Sequence, residues 1–161
     1  MITFRSLEDK EEDFIQLHRW CSNKNVYEWF EQRILSLEEI KDKYKRKIFS
    51  KEQDCFIIQY DGRDIGYAQI YPYNSTTYEF DLFIGEEDCL SKGIGTKVVK
   101  ELNKKILKDY RIDSIIARPF SRNTRAVQCY LKSGYQIIRE EDGTDTLGNK
   151  EKIMVMINNR L

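Results

Sequence analysis

Apolar and polar residues alternate from Ile2 to Arg5, the period of a half-buried strand. From Glu11 to Cys21 the spacing lengthens, and Phe14, Leu17, His18 and Cys21 fall on one helical face. Ser36-Leu37-Glu38-Glu39 has the form of a capping box, with Ile40, Tyr44 and Ile48 following at four-residue intervals, which predicts a second helix. Between the helices lies an aromatic cluster, Val26-Tyr27-Glu28-Trp29-Phe30, read as a loop or a helix end. Cys55 to Tyr60 reads as a strand, Asp61-Gly62 as a hairpin turn, and Arg63 to Tyr71 as the returning partner. Glu79 to Ile84 is a further strand. Gly93 to Leu107 is a helix with Val98, Leu102 and Ile106 along one stripe, and Ile112 to Ala117 a short apolar strand. Asn123 is placed to cap a helix that runs to Ser133 and stops at Gly134. Tyr135 to Arg139 and Lys152 to Ile157 are the last strands, joined through turns at Asp142-Gly143 and Leu147-Gly148. A long helix between Glu79–Ile84 and Ile112–Ala117 requires those two strands to be parallel. The order therefore predicts a mixed α/β sheet, mostly antiparallel, rather than a doubly wound one.

Composition narrows the class. The chain has 161 residues, enough for one domain spanning 1–161. Its 27 basic and 27 acidic residues cancel, so the charge carries no nucleic-acid or membrane footprint. No apolar run reaches the length of a membrane span, and Met1 to Lys10 lacks the order of a signal peptide, so a cytoplasmic setting is expected. Cys21, Cys55, Cys89 and Cys129 are widely spaced and the single histidine is His18. These are reduced thiols in this reading, with no metal site.

The sharpest local feature is Ser91-Lys92-Gly93-Ile94-Gly95-Thr96, which follows a strand and opens a helix. Glycines let backbone approach a ligand closely, free N–H groups at a helix start attract anions, and Lys92 adds charge. Taken alone, the loop fits either a pyrophosphate site or a tight strand-to-helix turn. A second segment runs from Asn123 through Ala126, Tyr130 and Lys132 to Gly134-Tyr135. The first loop resembles the coenzyme-A loop of the GNAT superfamily, Q/R-x-x-G-x-G/A, with Leu90 where glutamine or arginine is usual. The second resembles that superfamily's N-x-x-A-x-x-x-Y-x-K-x-G-[FY] segment. The resemblance implies a GNAT fold, with a splayed parallel pair and helices on both faces of the sheet. It also implies acetyl-coenzyme A as acetyl donor, held by Phe83, Ile84, Lys92, Gly93, Ile94, Gly95, Thr96, Asn123, Ala126 and Tyr130.

Other segments narrow the resemblance to aminoglycoside 6′-N-acetyltransferases. Gly66-Tyr67-Ala68-Gln69-Ile70-Tyr71 is similar to their glutamine strand, Glu28-Trp29-Phe30 to their aromatic segment, and Asp81 to their strand aspartate; Tyr44 sits where they have a helix tyrosine. This implies acceptor contacts from Trp29, Phe30, Tyr44, Gln69, Tyr71 and Asp81. It also implies Asp81 as the group that takes or aligns the amine proton, and Tyr130 as the phenol facing the departing thiolate. The chain departs from that family at Arg118-Pro119, where the family has Asp-Pro, and in the short neutral stretch from Pro72 to Tyr78 that stands in place of the family's acidic insertion. The partner expected is a small cationic amine, with the enzyme a monomer or homodimer. Two alternatives stay open: transfer to another amine (a diamine, an amino acid, a streptothricin-like drug or a protein N-terminus), and an acyl-coenzyme-A-binding module without turnover.

Overall fold

The computed structural model describes residues 1–159, and among these seven strands form one sheet. They are β1 (Ile2–Ser6), β2 (Asp54–Tyr60), β3 (Arg63–Pro72), β4 (Thr77–Ile84), β5 (Ser114–Ala117), β6 (Gln136–Thr144) and β7 (Lys150–Asn158). The helices are α1 (Glu11–Cys21), α2 (Lys24–Phe30), α3 (Leu37–Phe49), α4 (Ile94–Asp109) and α5 (Thr124–Lys132). The spatial order of strands is β1-β2-β3-β4-β5-β7-β6. Every neighbouring pair is antiparallel except β4 and β5, which α4 joins by a crossover.

Alternation along the central strands gives two cores. Ala68, Ile70 and Phe80 pack with Val98, Leu102 and Ile106 of α4 and Val127 of α5. Ile57, Tyr67 and Phe83 pack with Phe14, Leu17 and Trp20 of α1, Val26 of α2 and Ile40 and Tyr44 of α3. Each large side chain so buried contributes on the order of 1.5–3 kcal/mol. Neighbours along β3 and β4 thus serve opposite layers, and any polar residue among them lies between covering helices.

Three sequence readings are corrected in detail. Val26–Phe30 belongs to a true helix, α2, capped by the Asn23 side chain on the Asn25 N–H. On α1 the buried face carries Trp20 with Phe14, Leu17 and Cys21, while His18 is half-buried, because the larger apolar ring claims the core. Asp142-Gly143 is no turn. The β6–β7 ladder continues through Asp142 and Gly143, and the reversal comes at Asp145, whose side chain accepts from the Leu147 and Asn149 N–H groups, each at 2.9 Å.

A partly buried ion cluster ties α1 to β1 and β3. Arg5 on β1 donates to both oxygens of Asp13, at 2.8 and 3.0 Å, and to Asp64 on β3 at 2.6 Å. Burial penalises the Asp64 carboxylate, but hydrogen bonds from Arg5, Gln16 and Gln59 outweigh that and hold its pKa at about 2. A folded-state pKa below the unfolded value adds stability that is present above the ordinary carboxylate pKa and lost as pH falls toward the folded one. Urea midpoints are therefore expected to fall from about pH 4 to about pH 2, and Asp64→Asn should flatten that fall while lowering stability at neutral pH. An unchanged acid profile in the variant counts against the cluster.

Candidate active site

The parallel pair is short. β4 pairs with β5 only at Thr77, Tyr78 and Glu79, yet β4 runs on to Ile84. Beyond Glu79 the two strands part, and Phe80 to Ile84 line one wall of a cavity of about 540 Å³. Such a volume suits a small-molecule site. α4 and α5 supply the opposite wall through Gly93, Gly95, Thr96, Asn123, Ala126, Cys129 and Tyr130, and α2 contributes Trp29 and Phe30.

Gly93 opens α4 with φ of 76°, a left-handed value that favours glycine. No side-chain hydrogen bond caps the first turn of α4, which borders the cavity at Gly93, Gly95 and Thr96, and free N–H groups at a helix start suit an anion. α5 passes close to Gly95, where an added Cβ would stand 3.4 Å from Cys129 Sγ, an ordinary contact. Asn123 caps α5 by accepting from the Ala126 N–H at 3.3 Å. Arg125 and Lys132, seven residues apart on one face of α5, also line the cavity.

Asp81 is the only acidic side chain among the described lining residues. Gln69 Nε2 donates to its Oδ2 at 2.8 Å, and the Tyr71 hydroxyl lies 2.8 Å from the same oxygen. Gln69 is itself oriented, since its Oε1 accepts from Lys47 Nζ at 2.8 Å and from the Tyr67 hydroxyl at 2.9 Å. Burial pushes the Lys47 ammonium below its usual pKa. The Tyr71 hydroxyl also lies 2.9 Å from Oε2 of Glu79, which is 3% exposed and receives the Arg118 Nε–H at 3.1 Å on each oxygen. Glu141 stands 3.8 Å beyond Arg118. Tyr130 packs edge-on against Phe80 with ring centroids 5.4 Å apart, and its hydroxyl has no hydrogen-bond partner among the described residues. Burial raises its pKa above the usual phenol value.

The structure brings Asp81, Tyr130, Phe83, Ile84, Gly93, Gly95, Thr96, Asn123, Ala126, Trp29 and Phe30 to one cavity. It sets the other sequence-derived site residues elsewhere. Ile94 is core, and Lys92 is exposed outside the lining. Tyr44 is 2% exposed beneath α3, against Cys21 and Tyr67, too deep to touch an acceptor. Gln69 and Tyr71 stand behind Asp81 instead of lining the cavity. Trp29 presents a ring already stacked by the Arg122 guanidinium at 4.7 Å. Sequence reading missed the Glu79–Arg118 pair. Its one signal was strand alternation, which puts Glu79 and Asp81 on the same face of β4. No group of three or more metal-ligating side chains occurs among the described residues.

Residues 9–142 match the family model described as an acetyltransferase (GNAT) domain, and the chain belongs to that family. Its similarities within curated proteins run to the aminoglycoside N(6′)-acetyltransferase type 1 of Klebsiella pneumoniae, 27% identical over 151 residues, covering 84% of this chain and 73% of that protein. A kanamycin resistance protein of Rhizobium radiobacter is 39% identical over 66 residues, covering 41% of this chain and 57% of that protein. The same fold is found in the aminoglycoside acetyltransferase AAC(6′)-Ib solved with coenzyme A and kanamycin, at a TM-score of 0.83 and 24% identity over 99% of this chain and 95% of that one. It is found again in spermidine N-acetyltransferase from Vibrio cholerae, at a TM-score of 0.81 and 17% identity over 97% and 94%.

Proposed function

We propose that this chain, as one domain, transfers an acetyl group from acetyl-coenzyme A to the 6′-amino group of an aminoglycoside. The observation that carries the reading is the parting of β4 from β5, which sets Asp81, Tyr130 and the uncapped start of α4 around one cavity. The acetyl donor supplies the activated thioester. The N–H groups at the start of α4 suit its pyrophosphate, and Arg125 and Lys132 add positive charge on the same side. A backbone N–H near Phe83, on the edge of β4 that β5 leaves unpaired, polarises the thioester carbonyl in this reading.

An alkylamine near pKa ~10 by analogy with lysine must lose its proton before it attacks. Asp81 holds the ammonium by charge and receives that proton, directly or through water, while Gln69 and Tyr71 fix its orientation. Tyr130 stays protonated at neutral pH, since burial raises its pKa, and it stabilises the departing thiolate by hydrogen bonding.

The acceptor assignment draws support from the relatives and from the fate of Arg118. That residue reverses the charge of the family's aspartate, yet its Nε–H is engaged by buried Glu79, and Glu141 lies beyond. The pair is neutral overall, so it neither attracts a carboxylate-bearing acceptor nor leaves a bare repulsive charge beside Asp81. The four free cysteines suit a reducing, cytoplasmic setting; no helix among the described residues is long and apolar enough to cross a membrane.

The test is thiol release from acetyl-coenzyme A against kanamycin-type drugs, diamines and peptides. Turnover of drugs with a 6′-amine, and none of drugs lacking it, is the expected result. Turnover confined to another amine overturns the acceptor, and coenzyme-A binding without any turnover overturns the enzymatic reading.

A further inference from the structure

A phenol has one hydrogen, and the Tyr71 hydroxyl faces two carboxylate oxygens. Glu79 Oε2 is 2.9 Å away and Asp81 Oδ2 is 2.8 Å away. If both acids were ionised, one of them would meet an oxygen lone pair. The contacts are all satisfied when one carboxyl carries an extra proton: a protonated Glu79 donates to Tyr71, and Tyr71 donates to Asp81.

We propose that Glu79 is the second member of a two-carboxylate base, joined to Asp81 through the Tyr71 hydroxyl, and that it stores the proton taken from the amine. This rests on the reading of Asp81 as the base. Before the nitrogen attacks, an N–H bond of the ammonium breaks and an O–H bond forms on Asp81 Oδ2, leaving the neutral amine. Asp81 passes that proton to Tyr71 Oη while Tyr71 passes its own to Glu79 Oε2. One proton has then moved from the amine to Glu79, the phenol is restored, and Asp81 is again a carboxylate. After product leaves, the reverse path returns the proton to solvent through the open cavity.

The surroundings favour this direction. Glu79 is almost wholly buried, whereas Asp81 is partly open to the cavity, so a proton stored on Glu79 sits away from solvent, and Glu141 remains beside Arg118 while Glu79 is neutral. The groups facing Glu79 are Tyr71 from β3, Asp81 from β4 and Arg118 after β5, with Glu141 of β6 and the Tyr73 ring beyond Arg118. Burial raises the Glu79 pKa and Asp81 raises it further, against the lowering by Arg118 and Tyr71. On the other side, Gln69, itself held by Lys47, donates to Asp81 Oδ2 and fixes the carboxylate toward Tyr71. A lone aspartate is a weak base toward an amine; a coupled pair that holds a proton more firmly is a better one.

The experiment measures the single-turnover rate constant and coenzyme-A affinity for Tyr71→Phe, Glu79→Gln, the double variant and Asp81→Asn. Tyr71→Phe keeps the ring and leaves the Glu79–Arg118 pair intact, and thermal melts report whether each variant folds. Each single cut is expected to slow the reaction roughly ten- to a hundredfold with coenzyme-A affinity unchanged. The double variant should be no slower than the worse single one, since either cut breaks the same path. In mixed light and heavy water the unaltered enzyme should give a curved dependence of rate on deuterium fraction, from protons moving together, and Tyr71→Phe a straight one. Full activity in Tyr71→Phe, additive losses, or identical curves for the two proteins overturn the relay. Should Asp81→Asn be inactive while Tyr71→Phe is unaffected, only the relay fails; should Asp81→Asn be fully active, the base reading fails and the relay with it.

Discussion

Asp81→Asn is expected to lower kcat for acetyl transfer by about two to three orders of magnitude, the usual worth of a positioned general base. Coenzyme-A affinity should be unchanged. The side chain lines the cavity from β4, away from the α4 N-terminus that suits the pyrophosphate. An asparagine fills the same space but holds no negative charge for an ammonium and takes up no proton. Its amide oxygen can still accept from Gln69 Nε2, so the side chain keeps its place while losing its charge. The KM for the amine should rise as well, because the one acidic side chain of the lining is gone. Steady-state kinetics with a 6′-amino drug and calorimetric titration of coenzyme A separate these effects. A variant with wild-type kcat would take Asp81 out of the mechanism.

Gly66→Ala should destabilise the fold by about 3 kcal/mol, at the upper end of common overpacking costs. Gly66 on β3 lies opposite Ile84 on β4, and a Cβ built on it would stand 2.2 Å from the Phe83 carbonyl oxygen and 3.1 Å from the Ile84 Cα. Both obstacles are backbone, so no rotamer change relieves them and the strands themselves must move apart. For a chain of this size that corresponds to a fall in Tm of roughly 6–12 °C. Phe83 and Ile84 line the cavity, so the folded fraction should also bind coenzyme A less tightly. Calorimetric melting and titration measure the two effects; a Tm within about 1 °C of the unaltered protein, well below what overpacking costs, would contradict the geometry.

Much of the fold was legible because its signals are local. The capping box at Ser36 forms as read, with Ser36 and Glu39 satisfying each other's backbone N–H groups. Asn123 caps α5, and Gly93 makes the left-handed turn into α4. The order of elements forced the single parallel pair. The errors arose where two local signals competed. Asp142-Gly143 has turn composition, but the cross-strand ladder to β7 continues past it. His18 and Trp20 both bordered the apolar face of α1, and packing against Phe83 chose the tryptophan.

By itself the sequence determined the order of elements, the single parallel pair and the glycine turn into α4, since each depends on signals a few residues apart; the roles given to Asp81 and Tyr130 came from resemblance to a family. Only the tertiary structure decided which of the acceptor-side residues reach the cavity. Tyr44, Gln69 and Tyr71 looked like contacts, but α3 buries Tyr44 against Cys21 and Tyr67, and the pairing of β3 with β4 turns Gln69 and Tyr71 onto Asp81. It also decided the meaning of Arg118, a reversed charge in the sequence and one half of an ion pair in the fold. Glu79 and Arg118 are far apart along the chain, and their contact depends on the parallel alignment of β4 with β5. Charges that meet only through sheet pairing leave no periodic trace, whereas caps, turns and amphipathic faces are written within a few residues of one another.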